Sequence, residues 1–401
     1  MKKFKNCIVI HYGEIALKGE NRSYFEGRLK RNIKRALSGI PTHEFERLHG
    51  RMLVFLPDDF SQEQVIERLQ KVFGITHFSF ALALEKEIEK IKEAAWTLMQ
   101  NQSFDSFKIE TRRAQKEFPM TSVEVNREVG AYVQKRCNKR VDLTNPEVTC
   151  YIEISGPYAL VYVEKIPGLR GLPVGVSERA VSLLSSGIDS PVASYLMLKR
   201  GVDLIYVHFH SQPYTNRASQ ENAERLVKIL NQYQFRSKIY FVPFIDIQRQ
   251  IMAQAPAELR VLLYRRYMVR LAEQIAHREK ATALVTGESV GQVASQTLSN
   301  MRVVEEVTKL PVLRPLAGFD KEEIIKKAKA IGTFEISIAP YEDCCSLFVP
   351  QKPATKAKPE QLQEAESRLT MDDLLEKALQ NAEIKILTYP ESKKLEEHSH
   401  A

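Results

Sequence analysis

The chain has 401 residues, 44% of them hydrophobic and 27% charged, which suits two or three globular domains and excludes a disordered, collagen-like or disulfide-scaffold protein. The 58 Lys and Arg against 50 Asp and Glu leave a net charge of +8, and residues 1–175 alone carry 28 basic and 22 acidic side chains, so a polyanionic partner is expected at the front of the chain. There is no run of about 18 apolar residues, and the apolar stretch near the N-terminus is too short for a signal peptide, so a cytoplasmic protein without a membrane segment is expected.

Residues 6–12 read as a strand, because Ile8, Val9 and Ile10 are contiguous and β-branched. Asn21 is placed to cap a helix in which Phe25, Leu29, Ile33 and Leu37 recur every four residues, with Arg28, Lys30, Arg31, Lys34 and Arg35 on the outer face. A strand at 51–56, a helix at 61–71 and a strand at 76–84 complete a small α+β unit of ferredoxin-like type. A second unit starts near Glu87, with helix 87–101, strand 107–111, helix 122–135 and strands 149–155 and 159–165. The Gly- and Pro-rich stretch 166–175 marks the domain boundary. Beyond it, strands at 180–184, 204–209, 238–243 and 283–286 alternate with helices at 189–199, 219–232 and 258–278. Continuous apolar strands between helices predict an α/β domain with a doubly wound parallel sheet. After Pro350 the composition becomes Lys- and Pro-rich, then reads as a charged amphipathic helix and a frayed tail.

The segment VSLLSSGIDSPVAS (181–194) carries the chemistry. A buried strand runs through Leu183 and Leu184 into Ser185, Ser186, Gly187, Asp189 and Ser190 and then a helix, so backbone N–H groups and a helix N-terminus can face a phosphate. The chain has no Gly-Lys dipeptide, hence no P-loop, and no GxGxxG at a strand end. The plainer reading is a polar turn in which Asp189 only caps the helix. The loop resembles the pyrophosphate loop of the N-type ATP pyrophosphatases, which grips the β,γ-phosphates of an ATP cleaved at the α-phosphate. His208 and Phe209 close the next strand, where a nucleotide meets its base or ribose. Arg265 on a helix would neutralise phosphate charge, Gly287 at a strand end permits close backbone approach, and Gln296 offers an amide.

Five cysteines (Cys7, Cys137, Cys150, Cys344 and Cys345) and no CxxC argue against a disulfide framework, a zinc site or an iron–sulfur cluster. His208 and His210 share a strand face without an evident third ligand, so no metal site is expected there. Trp96 reads as core. Candidate nucleic-acid contacts are Arg112 and Arg113 with Lys116, and Lys135 and Arg136 with Lys139 and Arg140, joined by Lys18 and Arg22. Such groups position phosphates without reading sequence; the alternative is a solvated helix face.

LLSSGIDSPVA (183–193), TGESVGQVASQTL (286–298), YEDCC (341–345), HYGEIALKGENR (11–22) and FKIETRRAQKEFP (107–119) together resemble the tRNA 4-thiouridine synthetase (tRNA sulfurtransferase, ThiI) family over about residues 1–350. The resemblance implies a ferredoxin-like domain at 1–60, a THUMP RNA-binding domain at 61–166 and a PP-loop ATP pyrophosphatase domain at 175–390. It implies ATP and Mg²⁺, adenylation of uridine 8 of tRNA at C4, and replacement of that oxygen by persulfide sulfur. The family requires the aspartate matching Asp189, and Lys321 matches a second functional position; from spacing alone, a solvated helix-start lysine is equally open. The family's persulfide cysteine falls in YEDCC. Cys345 is favoured by the Ser346-Leu347-Phe348 that follows, with Cys344 the alternative, although the neighbouring Glu342 and Asp343 would raise a thiol pKa. Long members carry a rhodanese domain with a further cysteine. No Cys follows Cys345, so sulfur is expected directly from a cysteine desulfurase, with a reductant or second persulfide finishing turnover. The family also implies a homodimer and a second role in thiamine thiazole synthesis. Competing readings are an adenylating enzyme that uses ammonia or an amine, and a non-catalytic RNA-binding protein; intact Ser185, Gly187, Asp189 and Ser190 weigh against the latter.

Overall fold

In the computed structural model, which describes residues 4–114, 118–340 and 352–390, the chain clusters into two units, Met1–Pro173 and Val174–Ala401. The first contains β1 (Lys5–Tyr12), α1 (Arg22–Ala36), β2 (Phe45–Leu48), β3 (Arg51–Phe55), α2 (Gln62–Leu69) and β4 (Ile75–Glu85). It continues with α3 (Ile88–Met99), β5 (Ser106–Arg113), α4 (Ser122–Cys137), β6 (Arg140–Val141), β7 (Val148–Ser155), β8 (Tyr158–Tyr162) and β9 (Ile166–Pro167). The two α+β halves are not separate sheets. Strands run in the order β2-β3-β1-β4-β8-β7-β5-β6, with β9 also on β4, and the join is β4 against β8, where Leu82 faces Val161 and Leu84 faces Ala159. Alternation along β5 and β7 buries Phe107, Ile109, Cys150, Ile152 and Ile154 with α3 and α4, and Trp96 packs at the edge of that cluster. Asn21 stands at the start of α1 without a side-chain capping bond, whereas Thr121 and Glu124 form a full capping box on α4.

The second unit contains β10 (Arg179–Leu183), α5 (Asp189–Lys199), β11 (Asp203–His210), α6 (Ala218–Gln234), β12 (Arg236–Pro243), α7 (Ile245–Gln254), α8 (Arg260–Glu279) and β13 (Ala283–Val285). Then follow α9 (Leu298–Glu305), β14 (Val312–Leu313), α10 (Lys321–Ile331), α11 (Phe334–Ser337), α12 (Pro359–Ser367), α13 (Asp372–Gln380) and β15 (Glu383–Thr388). The sheet order is β14-β13-β10-β11-β12-β15. The first five strands are mutually parallel, as the apolar strand–helix alternation predicts. The departure is β15, an antiparallel edge strand on β12, where two helices and a strand replace the single amphipathic helix expected after Pro350. Its alternation, EIKILT, is masked in sequence by Lys-rich surroundings, and Lys385 reaches Glu224 of α6 at 2.9 Å. Helix α7 was also not foreseen, because it follows β12 with no loop composition between them.

Val181, Ile205, Val207, Phe209, Tyr240 and Val242 pack with α8, which is buried along most of its length. Arg266 on α8 is 2% exposed and is held by Glu366 of α12 (2.8 Å) and Glu306 (3.1 Å); Glu366 also takes Arg270 (2.7 Å). A guanidinium this deep is tolerable only while paired. Glu366→Ala is therefore expected to cost about 3 kcal/mol of unfolding free energy in urea denaturation, and a loss too small to measure would contradict the assignment.

Candidate functional site

The loop between β10 and α5 is folded by its own serines. Ser185 N–H donates to Ser190 Oγ (2.9 Å), the Ser190 hydroxyl bonds back to Ser185 O (3.2 Å), and Gly187 N–H donates to Ser185 Oγ (3.2 Å). The Ser186 hydroxyl donates outward to Ser219 O (2.7 Å), tying the loop to α6. The loop is thus closed before any ligand arrives, with the positive end of α5 at its mouth. Gly287, two residues past β13, lies against the first turn of α5. A Cβ there would stand 2.7 Å from Ser190 N and 2.8 Å from Ser190 Cα, so this approach admits no side chain.

Asp189 does not cap the helix. Its two carboxylate oxygens accept from Lys321 Nζ (2.6 Å) and Gln292 Nε2 (2.9 Å). Lys321 opens α10, whose start is set by an Asp320–Glu323 capping box, and it returns across 132 positions of sequence to the loop. The helix-start lysine and the loop aspartate are therefore one ion pair. Gln292 lies inside the TGESVGQVASQTL segment, yet nothing in its spacing distinguishes it from its neighbours.

Asp189 and the serine loop line a cleft of about 200 Å³, with Lys321 and Gln292 holding Asp189 from outside its lining. Ten of the twelve nucleotide-site candidates line it: Leu183, Leu184, Ser185, Asp189, Ser190, His208, Phe209, Arg265, Gly287 and Gln296. Ser186 and Gly187 shape the loop without lining the cleft. Met268, Val269, Val304 and Val312 extend an apolar side suited to a base, and Thr286, Glu288, Glu305 and Arg314 join the polar side. His208 is 2% exposed; its Nδ1–H donates to Leu184 O (2.9 Å) and its Nε2 faces Ser219 Oγ (3.4 Å). Burial pulls it down to about 4, so at neutral pH it is an uncharged strut between β11 and the loop. Burial likewise lowers His210 to about 4. Among the described residues no three His, Cys, Asp or Glu side chains are grouped to hold a metal.

The basic candidates of the first unit do not form one patch. Arg140 pairs in register with Ser106 at the start of β5, whereas Arg112 stands near its end, about 20 Å away along the strand. Arg112 is exposed beside Glu110, but Arg113 is committed to the carbonyls of Phe118 (3.0 Å) and Met120 (2.6 Å). Lys135 and Arg136 are exposed in the last turn of α4, Arg136 lying 3.5 Å over the Tyr132 ring. Lys139 pairs with Asp105 (2.7 Å) and Arg140 with Asp142 (3.2 Å). Lys18 and Arg22 pair with Glu14 and Glu26. Lys165, which sequence reading missed, sits 3.5 Å over the Tyr151 ring; burial lowers the His77 pKa, and the charges of Lys165 and Arg112 add to that. Lys116, Cys344 and Cys345 lie outside the described residues. Cys7 and Cys150 are buried and their thiols pushed up by burial, Cys150 to about 12, so neither is a nucleophile at neutral pH.

Family models match this chain over residues 175–371 (Thiamine biosynthesis protein, ThiI), 7–79 (ThiI ferredoxin-like domain) and 85–164 (THUMP domain). A probable tRNA sulfurtransferase of Moorella thermoacetica is 46% identical over 94% of this chain and 96% of its own. The chain belongs to the ThiI family. A probable tRNA sulfurtransferase of Thermus thermophilus is 43% identical over 94% of this chain and 93% of its own. Among solved structures, a 4-thiouridine synthetase–RNA complex with bound ATP matches with a TM-score of 0.88 at 36% identity, over 96% of this chain and all of that one. A Pyrococcus horikoshii protein matches with a TM-score of 0.62 at 27% identity, over 82% of this chain and 99% of that one. The ferredoxin-like, THUMP and PP-loop folds expected from sequence are those of the family.

The neutral state of His208 has a thermodynamic signature in this ThiI-family chain. The unfolded chain takes up this proton below about pH 6.5, while the folded chain resists until about 4, so stability is intact above the first value and falls between the two. Between about pH 7.5 and about pH 5, His208→Asn is expected to lose about 2 kcal/mol less unfolding free energy than the unmodified protein. Equal losses in urea titrations at the two pH values would contradict the buried, neutral assignment.

Proposed function

We propose that this protein uses ATP to activate uridine 8 of tRNA at C4 and replaces the C4 oxygen with sulfur, giving 4-thiouridine. The observation that carries the reading is the Asp189 carboxylate at the start of α5, gripped by Lys321 and Gln292 beside the Ser185–Ser190 loop and the cleft. The uridine carbonyl is a poor electrophile, because oxide is a poor leaving group. Attack of O4 on the α-phosphate, with loss of pyrophosphate, converts that oxygen into part of AMP. A persulfide sulfur then attacks C4, and AMP departs with the oxygen.

The loop and the α5 N-terminus hold the β,γ-phosphates, and Arg265 offsets further charge, which is where positioning and preorganised electrostatics count most. Mg²⁺ would be held on the protein side by the Asp189 carboxylate, which lines the cleft, and would supply neutralisation of phosphate charge. Cys345 carries the persulfide in this reading, with Cys344 the alternative. A cysteine desulfurase provides the sulfur; attack on C4 leaves that sulfur joined to the cysteine Sγ by a disulfide, and the thiol of a reductant, or a second persulfide, attacks Sγ, releasing 4-thiouridine and leaving a new S–S bond that further reductant returns to the thiol. The same persulfide would serve thiamine thiazole synthesis. Arg112, Lys135, Arg136, Lys139 and Arg140 contact tRNA phosphates, so selection rests on tRNA shape, and the working form is a homodimer in the cytoplasm.

The test is sulfur transfer to unmodified tRNA with ATP, Mg²⁺, cysteine and a cysteine desulfurase, read by nucleoside mass spectrometry. 4-Thiouridine is expected from the unmodified protein and from neither Asp189→Ala nor Cys345→Ala. Lys321→Met is expected to lower kcat/KM by roughly 100-fold. Activity surviving in Cys345→Ala but not in Cys344→Ala moves the persulfide to the neighbouring residue. Bound tRNA with no thionucleoside overturns the reading and favours an adenylating enzyme that uses an amine.

A further inference from the structure

Glu288 puts a negative charge inside a cleft suited to a polyanion. It is 6% exposed, and three donors from separate parts of the unit converge on it. Arg265 of α8 reaches Oε1 (2.5 Å), while Arg314, just past β14, gives Nε to Oε2 (2.8 Å) and Thr286, just past β13, gives its hydroxyl to Oε2 (2.9 Å). Arg314 is braced in turn by Glu305 of α9 (2.6 Å). All five side chains line the cleft. Burial works against the charged carboxylate, but the two arginines outweigh it and hold Glu288 below the usual carboxylate range.

We propose that Glu288 is a positioning residue for nucleotide binding, holding the Arg265 guanidinium aimed into the cleft without touching the nucleotide itself. This rests on the reading of the cleft as the ATP site. An arginine on a flexible stem must otherwise lose its rotamer freedom when ligand binds, whereas one already anchored by a buried carboxylate has lost it on folding. The contact with Glu288 Oε1 uses only Nη1 of the Arg265 fork, and the rest of that fork makes no other hydrogen bond among the described residues, so it remains available to a ligand. With three donors on its two oxygens and two cations beside it, Glu288 presents little repulsion to phosphate. Its neighbour Gly287 lies so close to the first turn of α5 that a Cβ there would stand 2.7 Å from Ser190 N. Arg314 is the second strut, keeping the carboxylate in place while Arg265 engages ligand.

The experiment measures the ATP dissociation constant of the full chain with Mg²⁺ and without tRNA, by calorimetry, for the unmodified protein, Glu288→Gln, Arg265→Met and the double variant, with a thermal midpoint for each. Each single change is expected to weaken ATP binding about tenfold or more, and the double variant is expected to bind no worse than Arg265→Met alone. Steady-state kinetics of Glu288→Gln should show the loss in KM for ATP rather than in kcat. Arg314→Gln, which removes one strut and leaves Glu288 in place, is a milder second variant expected to weaken ATP binding in the same direction. Losses that add in the double variant, or ATP binding unchanged in both Glu288→Gln and Arg314→Gln, overturn the positioning role. Absence of ATP binding by the unmodified protein overturns the nucleotide reading beneath it, a distinct result.

Discussion

The site depends on an approach of Gly287 to the first turn of α5 that leaves no room for a Cβ. With less than 3 Å between a would-be Cβ and the first turn of α5, the end of β13 and the start of α5 close into one edge. The loop following Gly287 brings Gln292 to Asp189 and Gln296 into the lining of the cleft. A methyl group at 287 would push α5 off β13, separating Asp189 from Gln292 and opening the cleft at its narrowest point. The parallel sheet supplies the frame, since parallel strands deliver their C-terminal ends and the following loops to one crevice.

Charge in the cleft is arranged in compensated pairs rather than as a bare cationic pocket. Asp189 is matched by Lys321 and Glu288 by Arg265 and Arg314, while His208 is neutral and spends its polarity on Leu184 and Ser219. Such pairing holds each side chain in one orientation before ligand arrives, which is the condition under which electrostatic stabilisation costs little reorganisation. The α8 helix carries this arrangement. Arg265 faces the cleft, while the adjacent Arg266 anchors the helix from within through Glu366 and Glu306.

The strand–loop–helix at 181–194 was legible from residue types because its determinants are local: a short apolar strand, small loop residues and a helix start. The parallel α/β frame was legible for the same reason, from repeated apolar strands between helices. What sequence could not supply was reach. Lys321 meets Asp189 across 132 positions, and Gln292 and Glu288 are ordinary polar residues until the fold sets them beside Asp189 and Arg265. Sequence was equally silent on how the basic clusters are arranged in space. Arg112 and Arg140 stand toward opposite ends of β5, and Arg113 is committed to the carbonyls of Phe118 and Met120. Strand β15 escaped notice because a six-residue alternation carries little signal beside Lys-rich neighbours, and its pairing with β12 is a long-range event.

The central claim is that the oxygen lost from uridine leaves in AMP. It is tested by turning over tRNA labelled with oxygen-18 at C4 of uridine 8 and taking the mass spectrum of the AMP formed. The account predicts one labelled oxygen in the AMP phosphate for each 4-thiouridine made. Label released to water, with unlabelled AMP, would show that sulfur enters by another route and would contradict adenylation at this site.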